Sequence, residues 1–230
     1  MNKQAVGTGL MFLKRYVFGI SSYCIYCIVM GKHRQKASTK ITFGFVILCF
    51  VLGAIIGTIG DFCHVFTEVD AYPANGPAPF LPFLPVLMPV WVPFLFGGAL
   101  MLMGIVHRLL ANTYRPAMGS NPDIAYAMPF LFTMLYGLTG FISLGTGGLQ
   151  DVWIAAVAIL LWFAVDRSMM GAILALGIAI AGTMFEIMLV HAGGFYYLPE
   201  HANLMGVPSW LPWLYMSASI CISLFVRQLK

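Results

Sequence analysis

The chain has 230 residues, of which 60% are hydrophobic and only 9% are charged. A soluble domain of average composition carries about 25% charged residues, so this chain has too few charges to cover a water-facing surface. The composition therefore excludes a soluble enzyme, a disordered chain and a nucleic-acid-binding protein. The five cysteines lie mostly in apolar runs, and their odd number argues against a disulfide scaffold.

The first apolar segment, residues 16–31, is short for a membrane span and has basic residues at both ends. Its alternatives are a seventh span, an interfacial helix and a signal-like segment, although no small-residue cleavage site precedes Lys32. A translation start at Met30 would leave a basic tail instead. We favour a segment that does not span the membrane. Residues 1–40 then form a basic N-terminal tail with a short hydrophobic segment, and residues 41–230 form one membrane domain.

Six later apolar segments can each cross a bilayer as a helix, which needs about 20 residues. Helices are expected because the alternating pattern of a β-barrel is absent and backbone polar groups in lipid must pair internally. We predict an all-α membrane protein with a six-helix transmembrane bundle. Its spans are expected at about residues 41–60, 89–107, 124–145, 150–165, 169–190 and 210–226.

The charged residues predict how this bundle is oriented. All twelve Lys and Arg residues fall on one side of the six-span arrangement, which the positive-inside rule assigns to the cytoplasm. Both termini are therefore predicted to be cytoplasmic. The charged residues of the opposite loops are all acidic: Asp61, Glu68, Asp70, Asp151 and Glu200.

The loop predicted between the first two spans, residues 61–89, is unusually rich in proline. Seven of the thirteen prolines lie between Pro73 and Pro93. Because proline lacks an amide donor and clashes with the preceding turn, this density excludes a regular helix. We expect an extended apolar flap at the outer leaflet, with Pro93 in the first turns of the second span.

One cluster of side chains on the acidic side contains candidate metal ligands. If the segment is helical, His64 and Glu68 share a face because they are four residues apart. A zinc site would draw on Asp61, His64, Glu68, His191, Glu200 and His201. The spacing matches no compact metal signature, and neither a G-x-S-x-G nucleophile motif nor a repeated histidine box is present. We therefore predict no metal site and no catalytic residue.

Two other polar positions carry functional hypotheses. Glu186 lies inside the fifth span, five residues before His191 and about one and a half turns below the outer surface. Acids inside spans are costly, so Glu186 either contacts a ligand head group or a proton path, or is hydrogen-bonded to a neighbouring helix. Asp166, Arg167 and Ser168 form the short turn between the fourth and fifth spans. This turn caps the fifth helix or contacts a partner.

The second half of the sequence resembles the Insig (insulin-induced gene) family. The family's motifs in chain order are a tryptophan before an Asp-Arg-Ser turn, a Gly/Tyr-rich loop, Ser-Trp-Leu-Pro opening the sixth span and Arg-Gln-Leu closing it. The matching positions are Trp162, residues 166–168, residues 193–197, residues 209–212 and residues 227–229. In the first half, the start of the second span matches at Trp91, Val92, Pro93, Gly97 and Gly104.

This resemblance implies a six-span protein with both ends in the cytosol, no catalysis and no cofactor. Animal Insigs are endoplasmic-reticulum regulators that bind oxysterols among their spans and retain sterol-sensing partners. By the resemblance, the turn of Asp166, Arg167 and Ser168 contacts a membrane-protein partner. Trp162 matches a pocket tryptophan, and Gln150 lies close to the position of a pocket glutamine. The full set of lipid-binding candidates is Trp162, Gln150, Glu186, Trp91 and Phe132.

The leading hypothesis is a non-enzymatic regulator that holds a neutral lipid, a sterol or a diacylglycerol-like molecule, and that can form a homo-oligomer. Short tails, and an acid at Glu186 where the family leads us to expect an uncharged residue, favour a compact prokaryotic homologue in the inner membrane. In a eukaryote the location would be the endoplasmic reticulum. The alternatives are a small transporter or channel that uses Glu186, and a lipid-modifying enzyme that uses Asp61, His64 and Glu68.

Overall fold

The computed structural model describes residues 38–76, 78–118, 121–142 and 148–229. The hydrophobic segment at residues 16–31 and most of the predicted tail, residues 1–40, lie outside this part of the chain. The helices are α1 (Phe43–Phe66), α2 (Val92–Leu109), α3 (Pro122–Phe141), α4 (Leu149–Leu161), α5 (Met169–His191) and α6 (Leu211–Gln228). A π-helical turn (Trp162–Asp166) continues α4, and two short strands, β1 (Asp70–Ala71) and β2 (Tyr196–Tyr197), pair antiparallel.

Each of the six predicted spans coincides with a helix to within a few residues at most of its ends. Among the described residues, five helices are long and apolar enough to cross a membrane: α1, α2, α3, α4 with its π turn, and α5. The remaining helix, α6, packs against α2, α3, α4 and α5, and all of its residues from Ser217 to Val226 are buried. A helix surrounded by protein does not need the continuous apolar surface that faces lipid, which explains why α6 carries several serines.

Local sequence signals explain where several helices begin. The Thr42 hydroxyl accepts from the Phe45 amide at 3.2 Å at the start of α1, and the Asn121 side chain caps α3 in the same way. A proline stands in the first turn of α2 and of α6, where its missing N–H costs least. The placement of Pro93 in the first turn of α2 is therefore confirmed.

The first helix is longer than predicted, and two expectations about its end are wrong. The sequence predicts a loop from Asp61 onward, but α1 continues to Phe66, and Asp61 and His64 are both buried in the protein interior. The sequence also predicts that His64 and Glu68 share a helix face. Glu68 instead lies beyond the helix, exposed, with a φ of 60° that turns the chain toward β1.

The proline-rich segment forms turns without a regular helix in its described residues, 73–76 and 78–91. Its two arms are joined by backbone hydrogen bonds from Leu81 N to Met88 O at 2.8 Å and from Val90 N to Pro79 O at 3.0 Å. Met88 anchors the loop in the core, while Phe83 near the tip is 75% exposed. The segment is thus an apolar hairpin that is tethered to the core. The sequence predicts an extended flap, whereas the described residues form turns, and contact with the outer leaflet stays a prediction.

A buried arginine lies at one end of the helices and a pair of short strands at the other. At one end, the Arg108 guanidinium donates to the carbonyls of Lys40, Val226 and Leu229. At the other end, the β1–β2 pair links the segment after α1 to the segment after α5. Arg108 thus lies at one end of the helices and Asp70 of β1 at the other, on the sides to which the charge pattern of the sequence assigns them. The orientation of these ends in a membrane stays a prediction.

Close contact between α1 and α2 depends on glycine. A Cβ atom at Gly53 would lie 2.5 Å from the carbonyl oxygen of Phe96 on α2, so no larger residue fits there without separating the helices. This close approach places α1 and α2 side by side along one wall of the cavity described next.

Candidate functional site

An apolar cavity lies between α1, α2, α3, α5 and α6. The space that the centre of a water-sized sphere can occupy is about 60 Å³, several times what one water molecule needs. Phe132 lines it from α3. The polar side chains in the lining are Tyr136, Glu186 and Tyr215. The apolar lining includes Gly53, Ile56, Leu100, Met103, Leu214 and Ala218. A lining that is mostly apolar favours an apolar guest.

A second, polar cavity of about 40 Å³ lies beside the first. Both cavities are lined by Phe96, Ala99, Tyr136, Glu186 and Tyr215, so they share a wall. The polar cavity carries three carboxyl groups and four phenols, from Asp61, Asp70, Glu186, Tyr72, Tyr136, Tyr197 and Tyr215. Together the two cavities provide an apolar space and an adjoining polar space.

Ala99 lies where both cavities approach the outer surface of α2. It is exposed on α2 and lines both cavities. Ala99 is therefore a lining residue of both cavities that is also accessible from outside the helices.

Tyrosine hydroxyls hold two of the three carboxyl groups. Glu186 accepts from Tyr197 at its Oε2 and from Tyr215 at its Oε1, both at 2.5 Å. Asp61 accepts from the Tyr72 hydroxyl at 2.8 Å. These bonds offset part of the cost of burying acids among apolar residues.

Asp70 differs from the other two acids. Its side chain is 2% exposed, and its Oδ1 atom has no hydrogen-bond partner. Burial, followed by the nearby carboxyls of Asp61 and Glu186, raises the pKa of Asp70 well above its usual range. An unsatisfied buried oxygen is costly, so this atom is the strongest candidate in the cavity for contact with a bound molecule.

The short strands explain why Asp70 reaches this position. Asp70 of β1 lies opposite Tyr197 of β2, and Leu198 N donates to Val69 O at 3.0 Å just beyond the pair. The two strands bring the turn after α1 to the turn after α5. They thereby place Asp70 and Tyr197 next to Glu186.

The sequence-predicted lipid-binding residues divide into two groups. Phe132 lines the apolar cavity, Trp91 lines the polar cavity, and Glu186 lines both. Trp162 and Gln150 line neither of these two cavities. The Trp162 indole donates to Ser168 O at 3.1 Å, and the Gln150 amide donates to Thr139 O at 2.9 Å. The lipid-binding role of these residues stays a prediction.

The Asp-Arg-Ser turn is held by its own side chains. Asp166 is 2% exposed, and its Oδ1 accepts from the Ser168 amide at 3.1 Å and also from the Ser168 hydroxyl. The Ser168 hydroxyl in turn accepts from the Gly171 amide at 3.0 Å and caps α5. Between them, Arg167 is exposed in a left-handed conformation with a φ of 56°. In this conformation, a partner approaching the turn would meet Arg167 rather than the Asp166 carboxylate.

Substitution of Asp166 tests this arrangement. Asp166→Ala is expected to lower the free energy of unfolding by about 1–2 kcal/mol, because the turn and the cap of α5 lose the carboxylate. Thermal unfolding of the detergent-solubilised protein measures the effect. Asp123→Ala serves as the control, since Asp123 is an exposed acid in the first turn of α3. Equal losses in the two variants would contradict a structural role for Asp166.

Sequence reasoning missed the polar cavity itself. In the sequence, Asp61 and Asp70 have the pattern of loop residues, and no motif distinguishes the four tyrosines. The signal that existed was the density of acidic and tyrosine residues on one predicted side of the bundle. Within the described ranges, no group of three or more His, Cys, Asp and Glu side chains is arranged to hold a metal ion. Asp61 and His64 are buried, whereas Glu68 is exposed beyond the end of α1.

Sequence comparison finds known proteins that are similar to this chain. No protein-family model matches the chain. An INSIG protein homolog of Mycolicibacterium vanbaalenii is 27% identical over 178 residues, which cover 77% of this chain and 83% of that protein. Insulin-induced gene 1 protein of Danio rerio is 22% identical over 201 residues, covering 86% of this chain and 76% of the relative. Insulin-induced gene 2 protein of Gallus gallus is 36% identical over 76 residues, 33% of each chain.

Solved structures give the same result for the fold. The crystal structure of MvINS, a mycobacterial Insig homolog from Mycobacterium vanbaalenii, superimposes with a TM-score of 0.72 at 25% identity, covering 82% of this chain and 95% of that one. A structure of a cross-linked MvINS trimer gives the same TM-score at 26% identity, with the same coverage. The resemblance indicated by the sequence motifs is therefore confirmed: this chain is an Insig-like, multi-pass helical membrane protein, similar to Insig proteins in sequence and in fold.

Proposed function

We propose that this protein is a non-enzymatic membrane regulator that binds a neutral lipid, a sterol or a diacylglycerol-like molecule, in the paired cavities between its helices. The observation that carries the proposal is the apolar cavity with Glu186 and Tyr215 at its edge. Ligand sites are typically concave and mostly apolar, with few polar groups to orient the ligand. Met103 has a flexible side chain in the lining and would move to admit a longer molecule.

The contacts of Glu186 favour lipid binding over transport. Both of its carboxylate oxygens are occupied by tyrosine hydroxyls, which hold the side chain in one position. The adjoining lining of the apolar cavity offers no continuous row of polar groups for an ion to follow. Glu186 is therefore better suited to fixing the two tyrosine hydroxyls that border the cavities than to the movement of an ion.

The proposed topology has six spans, with both termini in the cytoplasm and α6 as the central span. Its support is the gathering of Lys40, Arg108 and Arg227 at one end of the helices, which the positive-inside rule assigns to the cytoplasm. The exposed Arg167 lies in the turn that the family resemblance assigns to a membrane-protein partner. We also propose that the chain forms a homo-oligomer, in keeping with the trimer of its mycobacterial relative.

Lipid binding is tested by native mass spectrometry of the purified protein supplied with dioleoylglycerol or cholesterol. The wild-type protein is expected to carry one lipid per chain. Ala99→Phe is expected to lower occupancy about tenfold, a cost near 1.4 kcal/mol, because a phenyl group at this position enters both cavities.

A matched control uses the same helix away from the cavities. Leu102→Phe places the same side chain on the outer surface of α2, where Leu102 is 61% exposed, and is expected to leave occupancy unchanged. If the wild-type protein carries neither lipid under any loading condition, the proposed function is wrong. Equal occupancy in Ala99→Phe and the wild type would show that lipid binds elsewhere.

A further inference from the structure

The polar cavity has a composition that the apolar cavity does not explain. Its described lining contains three acids and no Lys, Arg or His. The hydrogen bonds within it satisfy Glu186 at both oxygens and Asp61 at one, but leave Asp70 Oδ1 unpaired and buried. Most buried polar atoms have a hydrogen-bond partner, so we expect a bound molecule to supply the partner of this oxygen.

The position of the cavity limits what that partner is. It adjoins the apolar cavity through the shared Glu186 and Tyr215, and it lies beside the β1–β2 pair at the acidic end of the helices. A lipid whose chain or ring system occupies the apolar cavity would therefore extend its polar end toward Asp70. This placement keeps the polar end of the lipid nearest the end of the bundle, where membrane lipids carry their own head groups.

We propose that the polar cavity binds the free hydroxyl group of the lipid, with Asp70 Oδ1 as its hydrogen-bond acceptor. This inference rests on the proposed function and specifies it: the ligand must be an alcohol, and its esterified or etherified forms are rejected. A hydroxyl both donates and accepts, so it pairs with the Asp70 carboxyl whether or not that carboxyl carries a proton. A methyl ether cannot donate, and its methyl group would take the place of a hydrogen-bonding atom among three acids.

Selectivity of this kind has a physical precedent in sites that are built around a hydrogen bond. Such a site discriminates strongly against an analogue that lacks the bonding group, because the buried polar atoms of the protein are then left unpaired. A purely apolar pocket discriminates weakly between ligands that differ by one small group. The ratio of affinities for an alcohol and its methyl ether therefore reports whether Asp70 contacts the ligand.

The experiment measures competitive binding by native mass spectrometry in the wild-type protein. One arm pairs dioleoylglycerol with its 3-O-methyl ether, and the other pairs cholesterol with cholesterol methyl ether, so that the two lipid sources are distinguished. In whichever arm binds, the wild type is expected to prefer the alcohol at least about tenfold. Equal binding of alcohol and ether would overturn this inference while leaving the proposed lipid binding intact. Absence of binding in both arms would overturn the proposed function and this inference together.

Variants of Asp70 assign the preference to one atom. Asp70→Leu removes the acceptor and is expected to reduce the preference to less than about twofold, whereas Asp70→Asn retains one acceptor oxygen and part of the preference. Glu68→Leu is the control, since Glu68 is an exposed acid two residues away and should leave the preference unchanged. The β1–β2 pairing uses the backbone, so Asp70→Leu should still fold. An undiminished preference in folded Asp70→Leu would overturn the assignment, and if this variant does not fold, the wild-type ratio and Asp70→Asn decide the matter.

Discussion

Glu186→Leu is expected to lower the free energy of unfolding by about 3 kcal/mol, because it leaves two buried phenols without an acceptor. Tyr197 comes from β2 and Tyr215 from α6, so the Glu186 carboxylate joins α5 to both of them. Glu186→Gln keeps one acceptor oxygen and should cost about 1 kcal/mol. Unfolding in mixed micelles with increasing SDS measures these values.

A triple variant separates the hydrogen bonds from the packing of the side chain. Removing both partners of a buried hydrogen bond costs much less than removing one, because no polar atom is then left unpaired. Glu186→Leu combined with Tyr197→Phe and Tyr215→Phe should therefore recover most of the stability lost in the single variant. Glu200→Leu, at an exposed position, should change stability by less than about 0.5 kcal/mol. A triple variant that is less stable than Glu186→Leu would show that the phenols do not depend on Glu186.

This network illustrates how much of the site the sequence could reveal. Glu186 stands out in the sequence because an acid within an apolar segment is costly, and that cost is a local property. Asp70 does not stand out, because it lies among turn residues where an acid is ordinary. Its burial depends on the pairing of β1 with β2, which joins residues more than 120 positions apart along the chain. Local patterns carry no information about such a pairing.

The fold shows the same division between local and distant causes. Apolar length and helix-start signals predicted the helices well, since both act within a single turn or span. The predicted end of α1 is wrong because Asp61 is a charged residue and the sequence does not reveal that its side chain is buried. The central position of α6 could not be predicted either, because its neighbours on α2, α3, α4 and α5 are distributed over the whole domain.

Arg108, at the other end of the helices, is a further residue whose burial the sequence does not reveal. The positive-inside rule treats it as a surface charge, yet its side chain is 0% exposed. Its guanidinium donates to Val226 O at 2.7 Å, Leu229 O at 2.5 Å and Lys40 O at 3.2 Å, and it lies 5.0 Å from the centre of the Phe45 ring. The carbonyls at the end of a helix have no partner within the helix and carry partial negative charge. Arg108 therefore closes the end of α6 and fastens the segment before α1 to it.

Arg108→Leu is expected to lower the free energy of unfolding by about 3 kcal/mol or more, because hydrogen bonds from a charged group are strong and three carbonyls lose their donor. Arg108→Lys keeps the charge but lacks the planar fork that reaches several carbonyls at once, so an intermediate loss is expected. Arg115→Leu removes an exposed arginine from the loop after α2 and should be nearly neutral. Unfolding in mixed micelles compares the three variants. If Arg108→Leu were as stable as Arg115→Leu, the carbonyl contacts would not hold this end of the bundle together, and Arg108 would contribute only to the orientation of the protein in the membrane.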